Sequence, residues 1–392
     1  MSVAGERKKL GIVIVVHGTQ ERLNRHLDAL CDQTRMPDTV VIVDNGAGDL
    51  SWTAKMPFRV EVVPAGDVGP AGGFRTGAIH ACRIGCDSVA FADDDAIPAP
   101  DAVERICAHL ERGAGAVAGH YDNGSPIILA NHYLAMSREA LHDAGLHFAP
   151  FYLMSEDQEY FERVSRSCAI VRDPRIEVSH PFSMGYDSLR DYLSLRNFAV
   201  HMAISGSAAG FARYMVFHTL RCMFFALRFG MYESFLSVPR AILDFASLRM
   251  GRPSMQSRKA AFPPAEAPPG ALAVGGARAQ GAIETAAGFA FAARGRDILV
   301  SEPFYMAFPP YSALARDVYA LEKGKTMHVM RNVPVVSLLF TAAALPAALL
   351  MLVPALAAFF LRRGRYRKML EEQVSEDREA ITPGTSFSRP RP

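Results

Sequence analysis

The sequence predicts an α/β protein built on a mostly parallel sheet. Short runs of β-branched residues alternate with helical patterns through about residue 112. Such alternation is typical of parallel strands joined by crossover helices. Acidic residues follow two of the predicted strands. Because ligands of such sheets bind beyond the carboxyl ends of the strands, these acidic residues predict a functional site.

Four strands are predicted from apolar runs. Leu10–Val16 is short and rich in β-branched residues, as expected for a strand that is buried on both faces. Thr39–Asp44, Val60–Val63 and Ser88–Asp93 repeat this pattern. The first run follows three basic residues, as in a signal peptide, but it is too short and no cleavage site follows it. We therefore expect the chain to start in the cytoplasm.

Helices are predicted between and after these strands, over Gln20–Gln33, Arg75–Ile84 and Asp101–Arg112. The first has leucines at positions 23, 27 and 30, which form one apolar stripe. The glycine-rich stretch Gly69–Gly77 is interpreted as a loop before the second helix. There, Gly72 and Gly73 would let the backbone approach a ligand, and the helix start would favour phosphate.

Composition excludes several classes of protein. The chain has 392 residues, of which 50% are hydrophobic and 21% are charged, with a formal net charge of +2. These values exclude a disordered chain and a polytopic membrane protein, and they give no reason to expect a nucleic-acid partner. Six cysteines in a chain of this length do not predict a disulfide framework. Cys82 and Cys86 lack a second pair at zinc spacing and are interpreted as small buried hydrophobes.

The composition changes along the chain and predicts six regions. They are a catalytic domain (1–205), an amphipathic helical region (206–255), a linker (256–282), an unassigned segment (283–332), a membrane segment (333–361) and a basic, then disordered tail (362–392). In the second region, Arg213, Arg221 and Arg228 recur at helical spacing opposite apolar residues. This spacing predicts a basic helix face at an anionic lipid surface, the alternative being a helix packed on the catalytic domain.

Val333–Leu361 contains 29 residues without a charge, which is long enough to cross a bilayer. Basic residues flank both ends, and Pro346 lies near the middle. Since short basic flanks stay in the cytoplasm and proline breaks helices, we predict a hairpin that enters and leaves by the cytoplasmic face. A single tilted span is the alternative.

The strongest chemical motif is Asp93-Asp94-Asp95 at the end of the fourth strand. Three adjacent carboxylates repel each other unless a cation balances them, and hard divalent ions prefer oxygen ligands. His180, before Pro181, is a further candidate metal ligand.

Two further motifs contain carboxylates. Asp44-Asn45-Gly46 ends the second strand, where Asp44 could bind a nucleobase or ribose, or simply form a turn. Asp157 stands at the start of a predicted helix, in Glu156-Asp157-Gln158-Glu159-Tyr160. There it could be a helix cap or a general base, and the sequence alone does not decide between these roles.

Together these motifs resemble the inverting glycosyltransferases of family 2, and most of all galactofuranosyltransferases and related rhamnosyltransferases. The resemblance covers roughly residues 10–255. It rests on the Asp44 motif, on Ala71-Gly72-Gly73-Phe74 with Gly77, on the triple Asp, on the Asp157 motif with Arg163, and on His180 and Arg196-Asn197. It departs at His17-Gly18-Thr19-Gln20, where the family usually has an Arg, and at Glu156, where the family usually has Asp.

The resemblance implies a GT-A type domain and a nucleotide-sugar donor whose diphosphate is bridged by Mn²⁺ or Mg²⁺. It implies that Asp157 is the catalytic base and that Asp94, Asp95 and His180 hold the metal. The implied donor-binding residues are Asp44, Asn45, Gly72, Gly73, Phe74, Arg75, Asp93 and Asp94. The implied acceptor or support residues are Glu156, Glu159, Arg163, Tyr192, Arg196 and Asn197.

The implied reaction transfers galactofuranose from UDP-galactofuranose to a lipid-linked glycan, at the cytoplasmic face of the bacterial inner membrane. A dTDP-rhamnose donor is the alternative within the family. A nucleotidyltransferase or an inactive glycan-binding subunit are the alternatives outside it.

Overall fold

The computed structural model describes residues 7–18, 20–121, 132–180, 187–229, 232–255, 272–274, 298–300, 317–322, 325–331 and 334–382. The chain forms two compact units. Unit 1 contains residues 1–122, 126–180 and 368–392, and unit 2 contains residues 123–125 and 181–367. The boundary at residue 180 lies before the predicted one at residue 205.

Unit 1 is built on an open mixed sheet. Its strands are β1 (Leu10–Val16), β2 (Thr39–Asp44), β3 (Arg59–Pro64), β4 (Ser88–Asp93), β5 (Ile97–Pro98), β6 (Ala116–Tyr121), β7 (His132–Ser137) and β8 (Ile170–Ser179). Their order is β3-β2-β1-β4-β7-β6-β8-β5. The first four are parallel, as predicted, whereas β7 runs antiparallel to both β4 and β6.

Five helices pack on this sheet: α1 (Gln20–Cys31), α2 (Gly69–Arg83), α3 (Ala102–Glu111), α4 (Arg138–Ala144) and α5 (Glu156–Ser167). Two apolar clusters form the core of the unit. One joins Leu27 of α1 and Ile106 of α3 to the sheet, and the other contains Phe74 of α2 and Tyr160 of α5. The α/β layering predicted from the sequence is therefore confirmed.

The start of α2 differs from the prediction. Gly72 and Gly73 lie inside this helix rather than in a loop before it. A Cβ atom on Gly73 would come within 2.6 Å of Cγ1 of Val15, and one on Gly77 would collide with Val13. These glycines therefore allow α2 to pack closely on β1, and the loop interpretation was wrong.

Unit 2 contains α6 (Ser188–Ser205), α7 (Ala208–Phe229), α8 (Tyr232–Ala246) and most of α9 (Pro334–Ile381). It also contains a second sheet of β9 (Leu272–Val274), β10 (Ile298–Val300), β11 (Asp317–Glu322) and β12 (Lys325–Arg331), in the order β12-β11-β10-β9. The predicted linker 256–282 therefore includes a strand. The unassigned segment 283–332 supplies the other three strands of this sheet.

Helix α9 contradicts two predictions. It runs without a break through Pro346 and Pro354, so the predicted hairpin is wrong. Alanine and leucine surround both prolines, and these strong helix formers continue the helix beyond the hydrogen bond that each proline removes. The helix also continues to Ile381, so the predicted tail is helical over residues 362–381, including the first seven residues of the part that was predicted to be disordered, while residues 383–392 lie outside the described chain.

The predicted basic face of α7 is not formed as expected. Arg221 pairs with the buried carboxylate of Asp191, and Met215 on the opposite side is buried inside unit 2. Arg213 is exposed, and the side chain of Arg228 lies outside the described residues. Arg221 is therefore part of the packing of unit 2.

Candidate active site

The three aspartates at the end of β4 gather cations from two other elements. Nε2 of His180, which follows β8, lies 2.9 Å from Oδ1 of Asp95 and 3.8 Å from Oδ2 of Asp93. Nη1 of Arg22, on α1, lies 3.1 Å from Oδ2 of Asp95 and 3.9 Å from Oδ1 of Asp94. We call these five residues the acidic cluster. It combines three carboxylates with two cationic partners.

The carboxylates of the acidic cluster differ in pKa. Burial and the charge of Asp95 raise the pKa of Asp94 to about 6, although Arg22 opposes this change. Burial raises the pKa of Asp93 well above its usual value, and the charges of Asp95 and Glu156 add to this effect. Burial acts in the same direction on Asp95, but the hydrogen bond and charge of His180 outweigh it and lower the pKa of Asp95. Burial thus favours the neutral form of Asp93, whereas His180 holds Asp95 in its charged form.

His180 responds to the same charges. Burial would lower its pKa, but its hydrogen bond to Asp95 and the nearby carboxylates outweigh burial and raise the pKa. His180 and Arg22 thus occupy positions where positive charge is stabilised.

Two buried residues support the main chain at the end of β4, and sequence reasoning missed both. Nδ1 of His26 lies 3.1 Å from the carbonyl oxygen of Asp93, and its Nε2 lies 2.5 Å from the hydroxyl of Tyr133. Burial lowers the pKa of His26 to about 4, so the ring is neutral at pH 7. His26 lies within the buried stripe of α1 between Leu23 and Leu27, which was the available signal.

The Asp44 motif forms the turn that was its structural alternative. Oδ1 of Asp44 accepts hydrogen bonds from the main-chain N–H groups of Gly46 and Ala47, at 2.9 and 2.7 Å. The buried side chain of Asn45 accepts a hydrogen bond from the N–H of Val68, just before α2. Asn45 therefore fixes a loop, and its proposed donor contact remains a prediction.

The segment that leads into α5 has an unusual backbone. Tyr152, Met154 and Ser155 all have positive φ, between 66° and 73°. Non-glycine residues adopt this conformation at a cost of about 1–3 kcal/mol each, and only where the surroundings enforce it. Such residues are concentrated at functional sites, which favours a role for the α5 start.

Glu156 and Asp157 begin α5, directly after these strained residues. Glu156 is buried and close enough to Asp93 to raise its pKa. Asp157 is half-buried, and its Oδ1 accepts a hydrogen bond from the N–H of Gln158. Glu159 instead forms an ion pair with Arg163, at 2.7 Å, and Arg163 donates to the carbonyl oxygens of Ala144 and Leu146. The Glu159–Arg163 pair is therefore structural.

Two predicted donor-binding residues serve other purposes. Phe74 is completely buried and packs edge-on against Phe91, so its side chain cannot reach a donor. The guanidinium of Arg75 pairs with Asp377 at 2.6 Å and with Glu376 at 3.3 Å, both in the last turns of α9. The physical reason is that α2 begins earlier than predicted, which places Phe74 on its sheet-facing side.

Three predicted acceptor or support residues lie in unit 2. Arg196 and Asn197 are buried, and Arg196 donates to Asn197 and to the carbonyl oxygen of Gly251. The hydroxyl of Tyr192 donates to Asp244 at 2.7 Å. These contacts hold α6 to the end of α8.

The chemistry of the acidic cluster fits a divalent cation. It offers carboxylate oxygens and the imidazole of His180, which are ligand types that divalent cations accept. Among the described residues, a second three-ligand group consists of Asp191, His218 and Cys222, whose ligand atoms lie within 4.8 Å of one another. Arg221 donates to Asp191 and lies 3.0 Å from Nε2 of His218, so its guanidinium balances the charge of Asp191.

The comparison with known families agrees with this geometry. Residues 11–153 match the model of glycosyl transferase family 2, a range that includes β1, β4 and the whole triple Asp. This part of the chain is similar to glycosyl transferase family 2. It contains β4 and the acidic residues at its end.

Curated relatives match over shorter stretches. The chain is 40% identical over 88 residues to "Galactofuranosyltransferase GlfT1" of Mycobacterium tuberculosis H37Rv, which covers 21% of this chain and 29% of the relative. For the protein of the same name from Mycolicibacterium smegmatis, the identity is 36% over 106 residues, covering 25% and 34%. The chain thus aligns with about a third of the length of these relatives.

Solved structures are similar at low identity. "Crystal structure of S. aureus TarS 1-349 in complex with UDP" has a TM-score of 0.42 and 16% identity, and the match covers 62% of this chain and 85% of that one. "Crystal Structure of a Mycobacterial Protein" has a TM-score of 0.37 and 16% identity, covering 50% and 74%.

Proposed function

We propose that this protein is an inverting glycosyltransferase that transfers galactofuranose from UDP-galactofuranose to a lipid-linked glycan. The observation that carries the proposal is that the family 2 match spans the strand that ends in the acidic cluster. A nucleotide-sugar donor is the substrate that this family implies. The names of the curated relatives support galactofuranose over rhamnose, although dTDP-rhamnose remains the second candidate.

We assign roles to the site residues from their positions at the strand ends and on α2. Asp44, at the end of β2, would contact the base or ribose, and Gly72 and Gly73 would lie near the donor. Asp94, Asp95 and His180 would hold Mn²⁺ or Mg²⁺, with Asp93 beside the donor. When bound, the metal neutralises charge on the leaving diphosphate.

Asp157 would remove the proton of the acceptor hydroxyl, whose oxygen then attacks the anomeric carbon from the face opposite the leaving group. Glu156, which is buried near Asp93, would support the base, and Glu159 and Arg163 would hold its helix in place. This reaction needs two kinds of catalysis, which are the positioning of both substrates and one general base.

Helix α9 supports attachment to a membrane. Among the described residues, its stretch from Ala344 is the one long and apolar enough to cross a bilayer, with a mean hydropathy of 2.3. Some of its alanines, such as Ala348 and Ala358, are buried, whereas Leu350 and Leu361 are 73% and 77% exposed. Large apolar side chains that are exposed together are expected where the surroundings are lipid.

A donor screen tests the proposed function. The purified full chain would be incubated with UDP-galactofuranose, dTDP-rhamnose and a lipid-linked acceptor, and nucleotide release and glycan mass would be followed with and without EDTA. We expect UDP release with one added hexose, and an anomeric configuration opposite to that of the donor. Pyrophosphate release from a nucleoside triphosphate would instead indicate a nucleotidyltransferase. No turnover of any donor would indicate an inactive binding subunit.

A further inference from the structure

The last turns of α9 pack inside unit 1, although they follow the apolar part of the helix, which belongs to unit 2. Within unit 1, residues 368–382 lie against the segment 142–149, which connects α4 to the strained entrance of α5. We call residues 368–382 the carboxy-terminal clamp. Neither the family match, which ends at residue 153, nor the predicted acceptor and donor contacts include it.

The clamp binds the main chain of this segment with side chains from one helix face. Oδ2 of Asp377 accepts from the N–H of Leu146 at 3.0 Å, and Oε1 of Gln373 accepts from the N–H of Ala149 at 3.0 Å. Nε2 of Gln373 donates to the carbonyl oxygen of His147, also at 3.0 Å.

Arg378 extends this face of the clamp. Its Nε and Nη2 donate to the carbonyl oxygens of His142 and Asp143, at 2.9 and 3.2 Å. Five main-chain groups between residues 142 and 149 are thus bound by the clamp. Within the described chain, these groups have no partner in a helix or strand, so side chains of the clamp satisfy their hydrogen bonds.

Asp377 is the centre of the clamp. Its side chain is fully buried, and its other oxygen, Oδ1, accepts from Nε of Arg75 on α2. One carboxylate therefore ties α9 to both α2 and the segment before α5. Removing this carboxylate would take away the acceptor of the Arg75 guanidinium and of the N–H of Leu146. A buried donor that loses its acceptor destabilises the fold, because water cannot replace the lost hydrogen bond.

The clamped segment contacts α5 and leads into the start of this helix, which carries the predicted base. Arg163 of α5 donates to the carbonyl oxygens of Ala144 and Leu146, inside the same segment. A short 3₁₀ helix (Ala149–Phe151) then leads to Tyr152. The carbonyl oxygen of Tyr152 accepts a hydrogen bond from the N–H of Ala71 on α2. The strained residues Met154 and Ser155 and then Glu156 and Asp157 follow directly. Strained backbone of this kind persists only when its surroundings over-determine it.

We infer that Asp377 and Gln373 are positioning residues for the transfer reaction, which act by holding the segment before α5 so that the base at its start is correctly placed. The inference rests on the proposed function and adds to it that residues beyond the apolar part of α9 complete the active site.

Two variants test the inference in the full-length protein. Asp377→Asn keeps the shape of the side chain but cannot accept from both Arg75 and Leu146, and Gln373→Met removes the bonds to Ala149 and His147. Glu372→Gln is the matched control, because Glu372 lies on the same turn, half-exposed, and pairs only with Lys368 among the ion pairs at this end of the helix.

We expect kcat to fall at least about tenfold in both variants, since a displacement near 1 Å costs about 10²-fold in rate. The KM for the donor and the Kd for UDP should stay within about threefold of the wild type. Hydrogen exchange should accelerate at the amides of residues 146–157, and the amides of β1 and β4 should stay as protected as in the control.

Two results would overturn the inference. One is a kcat within about threefold of Glu372→Gln for both variants. The other is a parallel loss of kcat, UDP binding and β1 protection, which would mean general unfolding rather than misplacement. If the wild type transfers no sugar at all, the proposed function fails, but hydrogen exchange still reports whether the clamp orders residues 146–157.

Discussion

At the scale of single residues, the position of Asp157 on the first turn of α5 makes its role as base testable. Asp157→Asn is nearly isosteric, but the amide cannot accept a proton, so we expect kcat to fall by about 10²-fold or more with unchanged UDP affinity. Steady-state kinetics and UDP titration would measure this. Glu162→Gln, at a partly exposed position of the same helix where the carboxylate pairs with Arg166, is the control.

Activity of Asp157→Asn within threefold of the control would move the base to another carboxylate. Glu159 is engaged by Arg163, whereas Glu156 is buried near Asp93. Glu156→Gln would then be the variant that loses transfer.

The acidic cluster makes a second prediction at this scale. Asp95→Ala removes the carboxylate that both His180 and Arg22 contact, so we expect weaker binding of Mn²⁺ and of the nucleotide sugar. Calorimetric titration of Mn²⁺ would measure the change, with Asp101→Asn, at a partly exposed carboxylate beside Arg105, as the control. An initial rate unaffected by EDTA would show that the reaction needs no metal.

The placement of residues was predicted best where chemistry dictates the residue type, while their roles stay predictions. Adjacent aspartates after a buried strand indicate a cation site, and the structure adds His180 to the same cluster as expected from the resemblance. Arg22 and His26 were missed because a polar residue on a helix gives no sign of which strand end it will reach. Phe74 and Arg75 have contacts that were not predicted, because their surroundings depend on where α2 begins.

At the scale of elements, the close packing of α2 on β1 depends on Gly73. Gly73→Ala would place a methyl group within 2.6 Å of Val15, and such overpacking costs about 1–3 kcal/mol. The higher helix propensity of alanine stabilises the helix by about 1 kcal/mol, so we expect the free energy of unfolding to fall or to stay unchanged. Urea unfolding would measure the free energy.

Gly364→Ala is the control for this prediction, because Gly364 is also inside a helix but has open space around it. There we expect a stabilisation of up to about 1 kcal/mol from helix propensity alone. Equal effects of the two substitutions would contradict the packing role of Gly73.

Element boundaries were predictable where the pattern was strong. β1, β2 and β4 have the predicted bounds, because β-branched runs bounded by polar residues have few alternatives. The sheet of unit 2 was missed, since β9 and β10 have three residues each and show no clear periodicity. The break at Pro346 was wrong because proline weakens a helix locally, while the flanking alanines and leucines favour its continuation.

At the scale of the whole molecule, the outward faces of α8 and α9 in unit 2 predict lipid binding. Leu236 and Leu243 are 62% and 60% exposed on α8, and Leu350 and Val353 are 73% and 68% exposed on α9. We expect the double variant Leu350→Glu, Val353→Glu to lose flotation with anionic vesicles. Val62→Glu, at an exposed position of β3, should float like the wild type.

The same faces predict how α9 meets the membrane. Ala355 of α9 lines the same apolar pocket as Ala241 and Phe245 of α8. Arg240 on α8 and Arg213 on α7 are exposed. A full crossing would bring such charges into hydrocarbon, at about 2.5–3.5 kcal/mol each near the centre. We therefore expect α9 to lie in the interface without crossing, so that both of its ends stay on the side of the acidic cluster.

Cysteine labelling would measure this topology. Lys325→Cys and Thr382→Cys place thiols before and after α9, and an impermeant maleimide would be applied to right-side-out and inside-out membrane vesicles, with the unsubstituted protein as the background. Thr382 lies in unit 1 with the acidic cluster, so its thiol reports the side of the active site. We expect both positions to react only in inside-out vesicles. Labelling of position 325 from the opposite side to position 382 would show that α9 crosses the membrane, because a helix lying in the interface keeps its two ends on one side.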